Sequence, residues 1–541
     1  MRRPGRPTLI RCGGAALTGV LCALSRPPVD LGPLAAIALV PLFVVWRDRG
    51  PRASAGYAFL AGVVYYTLLC SWIWYFGAIA IVPFVAACAG YWAAAAALIG
   101  WLRTRGLSNP FLTAAVWIIA DTAVARFPFG GLSWGELGYA FHNVVSARAV
   151  ASAGGVTLVT FLAVALNAFV ADLLPHSRLP RHNAERRRML HRSHARAYAG
   201  LLLIVVVVAA ARITRPTPHV VKTLHVATVQ GNDLNRDLTA AEEDARYLPN
   251  SHFALARQIR DPVDLIVFPE SSMDADPRTD PYIHSQLAGF AREHHAWVLA
   301  NATVDADPEG ERALNLNVLF APDGSLAGTY AKRHLVPFGE YVPFRKQLES
   351  WITEINKVPR DFARGDRPGL FDIDGVKVAN LICFESAFGY QVRPLVHDGA
   401  EVLVVSTNNR SYRRSANSAQ HLALSQMRAA ETGRPVIQAA ISGISAVIDA
   451  NGNVHDRTHL FDRTLVDTTI EATTGQTLYV RWGEWAALAC LVVVIVAVGF
   501  ALFRRRSRSS VDSAPQDVMI DVADRIEGYE LLDPEPTSSH E

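Results

Sequence analysis

Cysteine is scarce in this chain. There are six: Cys12, Cys22, Cys70, Cys88, Cys383 and Cys490. Five lie inside apolar stretches, and only Cys383 falls in the region of mixed composition from Val220 to about Trp482. No disulfide can close within that region, and no CxxC pattern offers a metal site. An excess of one charge is also missing. Lys and Arg number 52 against 49 Asp and Glu, a formal net charge of +3, which leaves no electrostatic footprint for nucleic acid.

What the chain has in excess is apolar sequence. Of its 541 residues, 50% are hydrophobic, too many for one ordinary soluble domain. The excess clusters before Ile213 and between Trp485 and Phe503. Stretches approaching spanning length read as Leu9–Ser25, Leu31–Trp46, Ala53–Phe76, Ala78–Leu102, Phe111–Phe127, Val150–Leu174, Ala197–Ile213 and Trp485–Phe503. The expectation is eight spans, about seven of them in residues 1–213, with the first two open to reading as one re-entrant hairpin. "LTGVLC" imitates a lipoprotein cleavage site, but Leu21 is not small, so the first segment is expected to be retained.

Arginine sets the orientation. Arg2, Arg3, Arg6 and Arg11, then Arg47, Arg49 and Arg52, then Arg103 and Arg105, then the run from Arg178 to Arg196, and finally "FRRRSRSS" all fall on one side if the spans alternate. Both termini are then cytoplasmic in a cell membrane, and residues 220–482 lie outside. The tail, 504–541, is polar and acidic and is expected to be disordered. Between spans five and six, "RFPFGGLSWGELGYAFHN" places Trp134 and Tyr139 where interfacial rings settle, either as an anchor or lining a lipid entrance.

In the region 220–482, strand and helix patterns alternate. "TLHVATVQG", "VDLIVFPE", "AWVLANATV", "VKVANLICFE" and "EVLVVSTNN" read as strands, and Asp323-Gly324 turns a hairpin. The pattern argues for α/β layers with helices covering sheets. Three polar groups end strands: Glu270, Lys332 and Cys383. Singly, each has an ordinary structural role, as a cap, a surface charge or a small core residue. Converged at the carboxyl ends of strands, they form a reaction centre. The thiolate attacks a carbonyl carbon and Glu270 takes the thiol proton. Lys332 and the backbone N–H after the cysteine, that of Phe384, stabilise the oxyanion. This chemistry needs no metal and no cofactor. His334 reads as a structural hydrogen-bonder, and the Lys332 ammonium is expected to lower the thiol pKa.

The phrases "FPES", "YAKRHLVPFGEYVP" and "ICFES" resemble the nitrilase superfamily. With the flanking spans, "VQGN" and "QMRAAETGRPVIQAAISGISAVIDANG", the chain from about Leu9 to Phe503 resembles the bacterial apolipoprotein N-acyltransferases within it. The resemblance implies a polytopic α-helical membrane domain plus an α/β nitrilase-like αββα sandwich. It implies Glu270 as base, Lys332 as oxyanion stabiliser and Cys383 as nucleophile. Glu340 and Glu385 match further acids, suited to orienting Lys332 and supporting the active-site loop. The implied reaction passes an acyl chain from the sn-1 position of a phospholipid to Cys383. A thioester forms, and the chain then moves to the α-amine of an S-diacylglyceryl cysteine on an apolipoprotein. Phe338, Tyr341, Val342, Phe344, Trp351 and Ile352 offer an amphipathic lid that dips into the bilayer, or an ordinary packed loop and helix.

The chain departs from that pattern in places. Phe384 stands where a tyrosine is common. "NNRSYRRSAN", residues 408–417, replaces an "NDxWFG"-like loop and adds three arginines. A tryptophan expected after "QGN" is missing. These departures suggest a divergent, actinobacterial branch. Two rival functions use the same residues. One is a membrane-anchored amidase or nitrilase-type hydrolase. The other is a catalytically weak scaffold, with a polyprenol-phosphate mannosyltransferase as partner.

Overall fold

The structure is a computed structural model that describes residues 6–174, 183–233, 238–348 and 358–512. Trp351 and Ile352, expected in the lid, and the tail beyond Asp512 lie outside the described residues. The apolar N-terminal region forms helices Arg6–Leu24, Pro51–Leu69, Ala78–Arg103, Pro110–Val124, Val145–Leu173 and Asn183–Thr214. Helix Trp485–Asp512 follows the second unit.

Among the described residues, five segments are long and apolar enough to cross a bilayer: Pro7–Leu24, Ala78–Arg103, Val145–Leu173, His194–Thr214 and Trp485–Arg504. The remaining three of the expected eight differ for identifiable reasons. Leu31–Trp46 is broken into a 3-10 turn, Gly32–Ala36, and a seven-residue helix, Val40–Trp46. Pro33 and Pro41 each start a helix and cannot continue one. Pro110–Val124 has 15 residues, about 22 Å at the α-helical rise, short of a hydrocarbon core of about 30 Å. Pro51–Leu69 has the length, 19 residues, but carries Arg52, Ser54 and three tyrosines.

The second unit is two six-stranded sheets face to face. Strands β1 (His219–Gln230), β2 (Leu265–Val267), β3 (Trp297–Asp305), β4 (Ala313–Phe320) and β5 (Leu326–Ala331) build one sheet. β6 (Leu370–Ile373), β7 (Val376–Ile382), β8 (Val402–Thr407), β9 (Val436–Ala440), β10 (Ala446–Ile448) and β11 (Val454–His455) build the other. β12 (Thr464–Thr474) returns to pair antiparallel with β1. Each sheet has a parallel centre, β1-β2-β3 and β7-β8-β9, with antiparallel strands outside it. Two-residue alternation sorts the side chains. Leu265, Val267, Val378, Val402 and Val404 fill the space between the sheets. Ile266 and Phe268 face Phe253, Leu287 and Phe290 of helices Tyr247–Ala256 and Pro281–His294. Leu381, Leu403 and Val405 face Val392, Leu395 and Leu422 of helices Gly389–His397 and Asn417–Thr432. The layers are therefore α-β-β-α.

Helix Asn417–Thr432 also docks the sandwich onto the membrane helices. Its Leu424 and Met427 join the membrane unit's apolar core. Gln420 accepts hydrogen bonds from the indoles of Trp72 (3.1 Å) and Trp134 (2.8 Å), and its amide donates to the carbonyls of Pro27 and Leu69. Trp134 and Tyr139 are thus buried at the junction of the two units. Helix Val145–Leu173 breaks at Gly154-Gly155, where Gly155 has φ +73° and a Cβ would meet the Tyr479 ring at 2.8 Å. The break frees the N–H of Val156, which donates to Glu431 Oε1 at 2.6 Å. Glu431 also pairs with buried Arg428 at 2.9 Å, so one carboxylate joins the two units. Replacing it leaves a buried guanidinium short of its partner. Glu431→Ala is expected to lower stability by about 3 kcal/mol, read as a depressed thermal unfolding midpoint of the detergent-solubilised chain. An unchanged midpoint would show that docking does not depend on this pair.

Candidate active site

Three strand ends converge. Glu270 follows β2, Lys332 follows β5 directly, and Cys383 follows β7 directly. All are at carboxyl ends, as sites in such sheets tend to be. The Lys332 ammonium is almost wholly buried and donates to Glu340 Oε1 at 2.7 Å and to Glu270 Oε1 at 3.3 Å. Burial alone disfavours the charged amine, but Glu270 and Glu340 outweigh it and hold its pKa well above the ordinary lysine value. Glu340 is itself tied back by Val336 N–H, at 2.8 Å. Glu270 accepts from Asn315 Nδ2 (2.7 Å) and, through its other oxygen, from Asn408 N–H (2.6 Å). Every one of these partners is an N–H donor, which leaves the carboxylate oxygens as acceptors.

Cys383 has φ +53°, a conformation that non-glycine residues seldom adopt. It begins the 3-10 turn Cys383–Ala387, so Phe384 N–H lies in a first turn, where amides lack intrahelical acceptors. The sulfur accepts from Thr407 Oγ1 at 3.3 Å and lies 4.0 Å from the Asn408 carbonyl. Burial, then the charge of Glu270, push the thiol up to about 12, against the pull of Lys332, Thr407 and Asn408. The expected lowering by Lys332 is therefore present but outweighed by the deep setting of the half-buried residue and by the carboxylate in the same pocket.

Glu385 fastens the Cys383–Ala387 turn to the lysine's segment. It accepts from Tyr330 OH at 2.8 and 2.9 Å, from the N–H groups of Arg333 (2.8 Å) and His334 (3.0 Å), and from Ile382 N–H (2.8 Å). Burial keeps its carboxyl above the usual range, with the hydrogen bonds opposing. His334 hydrogen-bonds through its backbone N–H and not through its ring Nε2. Its buried Nε2 has no partner among the described residues, its ring lies 4.1 Å from that of Phe388, and burial pushes its pKa down to about 4.

Around the site, Phe338 and Phe344 are exposed, at φ +60° and +57°. Their rings lie 6.2 and 5.9 Å from Phe129 of the membrane unit, and Tyr341 OH donates to the Phe129 carbonyl. Together with exposed Phe127 they make an apolar rim. Val342 is buried beneath it. Trp134 stands behind the nucleophile's turn, 6.3 Å from the Phe384 ring, and is no part of that rim.

Sequence reasoning passed over Asn315, Tyr330, Thr407 and His421. Asn315 and Asn317 sit two apart in the apolar strand "ALNLNVLF", so they share one face. Asn301 reaches both of them, at 2.8 and 2.9 Å. That polar pair in a buried strand was a legible signal. His421, which contacts Ser386 Oγ (2.8 Å) and the Cys383 carbonyl (3.2 Å), had none, because it reaches the site from a distant helix.

A raised thiol pKa keeps Cys383 protonated at neutral pH. Alkylation by iodoacetamide is expected to be slow at pH 7 and to rise about tenfold per pH unit toward pH 10. Full reaction within minutes at pH 7 would contradict the raised thiol pKa.

A family model described as the apolipoprotein N-acyltransferase N-terminal domain matches residues 18–169. One described as carbon-nitrogen hydrolase matches residues 225–479. The chain is 30% identical to an apolipoprotein N-acyltransferase of Geobacter metallireducens, covering 91% of this chain and 95% of that one. It is 32% identical to that of Azotobacter vinelandii (93% and 96%) and 27% identical to that of Vibrio cholerae (92% and 98%). Among solved structures, Nit3 of Saccharomyces cerevisiae, a nitrilase-superfamily member, is 14% identical with a TM-score of 0.37, over 47% of this chain and 91% of that one. These relatives give no support to an actinobacterial placement.

Proposed function

The chain belongs to the apolipoprotein N-acyltransferase family, and we propose that it transfers a phospholipid acyl chain to lipoprotein through a thioester on Cys383, with Glu270 as base and Lys332 as oxyanion partner. The observation that carries the assignment of roles is the buried cluster itself. One ammonium is shared by Glu270 and Glu340, beside a thiol too high in pKa to ionise unaided.

Glu270 takes the Cys383 proton as the sulfur attacks the sn-1 carbonyl carbon. Negative charge gathers on the carbonyl oxygen, where Lys332 Nζ and Phe384 N–H meet it. The intermediate collapses, the ester C–O bond breaks, and the proton on Glu270 passes to the departing lysophospholipid oxygen. In the second half, the α-amine of a diacylglyceryl cysteine attacks the thioester. Glu270 takes the amine's proton and returns it to the leaving sulfur. Glu340 and Glu385 act through position: the first holds Lys332, the second holds Cys383 to the lysine's segment. The donor is hydrophobic and the acceptor carries a diacylglyceryl anchor, so both reach the site along a bilayer. The exposed rim of Phe127, Phe129, Phe338 and Phe344 supports that route.

We place residues 220–482 on the extracytoplasmic side, supported by the arginines grouped in alternate connections. A hydrolase for small amides has no use for the matched membrane domain, and a scaffold has no use for a complete buried cluster. A mannosyltransferase partner has no support in the relatives.

Intact-protein mass spectrometry after incubation with phospholipid alone is expected to show a fatty-acyl adduct on the wild type, released by hydroxylamine and absent in Cys383→Ala. Glu270→Gln is expected to slow its formation about 1,000-fold. A folded wild type that acquires no adduct would overturn this reading.

A further inference from the structure

The loop from Asn408 to Ala416 joins the reaction centre to the membrane unit. Its first residues belong to the reaction centre: Thr407 contacts the sulfur and Asn408 N–H holds Glu270. Its next residues leave the centre for the membrane unit. Tyr412 packs edge-on against Trp72 (4.9 Å) and Phe76 (5.9 Å) of the segment Ser71–Phe76, which joins helices Pro51–Leu69 and Ala78–Arg103. The following residue, Arg413, is exposed and has φ +50°, a strained backbone for a residue with a side chain. Its guanidinium stands 5.4 Å over the ring of Tyr75, and Tyr75 and Trp74 are themselves exposed. Exposed Trp and Tyr beside spanning helices mark headgroup depth.

The arginines of this loop differ in their charge partners. Arg410 is paired with buried Asp233 at 3.1 Å. Among the described residues no carboxylate pairs with Arg413 or Arg414; the latter lies over the Phe461 ring at 5.1 Å. Arg413 thus holds an unneutralised planar fork, braced on an aromatic ring, five residues along the chain from the amide that holds Glu270.

Resting on the acyl-transfer reading above, we propose that Arg413 binds the phosphate of the acyl donor and makes the enzyme favour anionic phospholipids. The sn-1 ester and the phosphate sit at opposite ends of one glycerol unit. A donor with its ester carbon at Cys383 carries its phosphate just outside the centre, and the loop that starts beside the sulfur at Thr407 runs outward to Arg413 over Tyr75. A guanidinium meets phosphate through two parallel hydrogen bonds. A zwitterionic headgroup brings its own ammonium toward Arg413 and Arg414 and is repelled, whereas phosphatidylglycerol brings none.

The test uses the full chain in mixed micelles and follows acyl-enzyme formation on Cys383 from phosphatidylglycerol and phosphatidylethanolamine with matched chains. The wild type is expected to have the lower KM for phosphatidylglycerol. Arg413→Gln is expected to raise that KM about tenfold, leave the limiting rate nearly unchanged and abolish the preference, while Arg413→Lys keeps most of it. Equal KM values for the two lipids in the wild type, or an unchanged KM in Arg413→Gln, would overturn the proposal and leave acyl transfer standing. A lack of adduct from either lipid would overturn both.

Discussion

The buried ammonium of Lys332 is the constraint on which the site is built. An isolated charge at that depth costs several kcal/mol, so the fold must bring acids to it. Glu270 arrives from the end of β2 and Glu340 from the turn after Val336, and both reach the same nitrogen. Two carboxylates on one cation leave excess negative charge, and the surrounding donors absorb it: Asn315, the amide of Asn408 and the amide of Val336. Cys383 enters this field as a neutral thiol. Burial and the Glu270 carboxylate keep it protonated at rest, while the Lys332 ammonium pulls the other way.

A second carboxylate device holds the geometry. Glu385 takes hydrogen bonds from both the lysine's segment and the residue before the nucleophile. It spans the gap between two sheets whose facing surfaces are mainly apolar, as the Asn408 amide on Glu270 also does. At the far edge, Glu431 does comparable work between the sandwich and the membrane helices, receiving the amide freed by the Gly154-Gly155 break. In each case an acid of one element satisfies backbone donors of another. Such bonds are directional, whereas apolar packing is not.

The membrane unit supports the catalytic unit as well as anchoring it. Trp72 and Trp134 both end on Gln420, and Phe384 and Phe388 stack within reach of Trp134 and His334. The Cys383–Ala387 turn therefore rests on side chains from connections of the membrane unit.

Strand ends and alternation were legible in the sequence, because a period of two and a polar residue closing an apolar run are local features. Glu270, Lys332 and Cys383 could be named as strand-end residues on that basis, and the α/β layering followed from alternating patterns. Five of the eight apolar runs were legible as spans, and the other three were not, since proline positions, length and tyrosine content divide them more finely than hydropathy does. What only the tertiary structure decided is convergence. Asn315 beside Glu270, Asn408 N–H on its second oxygen, His421 behind the thiol and Trp134 in the junction all depend on residues far apart in the chain. The sign of the thiol's pKa shift also belongs there. The sequence placed a cation near Cys383, but burial and a facing carboxylate act through distance and shielding, which no linear order of residues specifies.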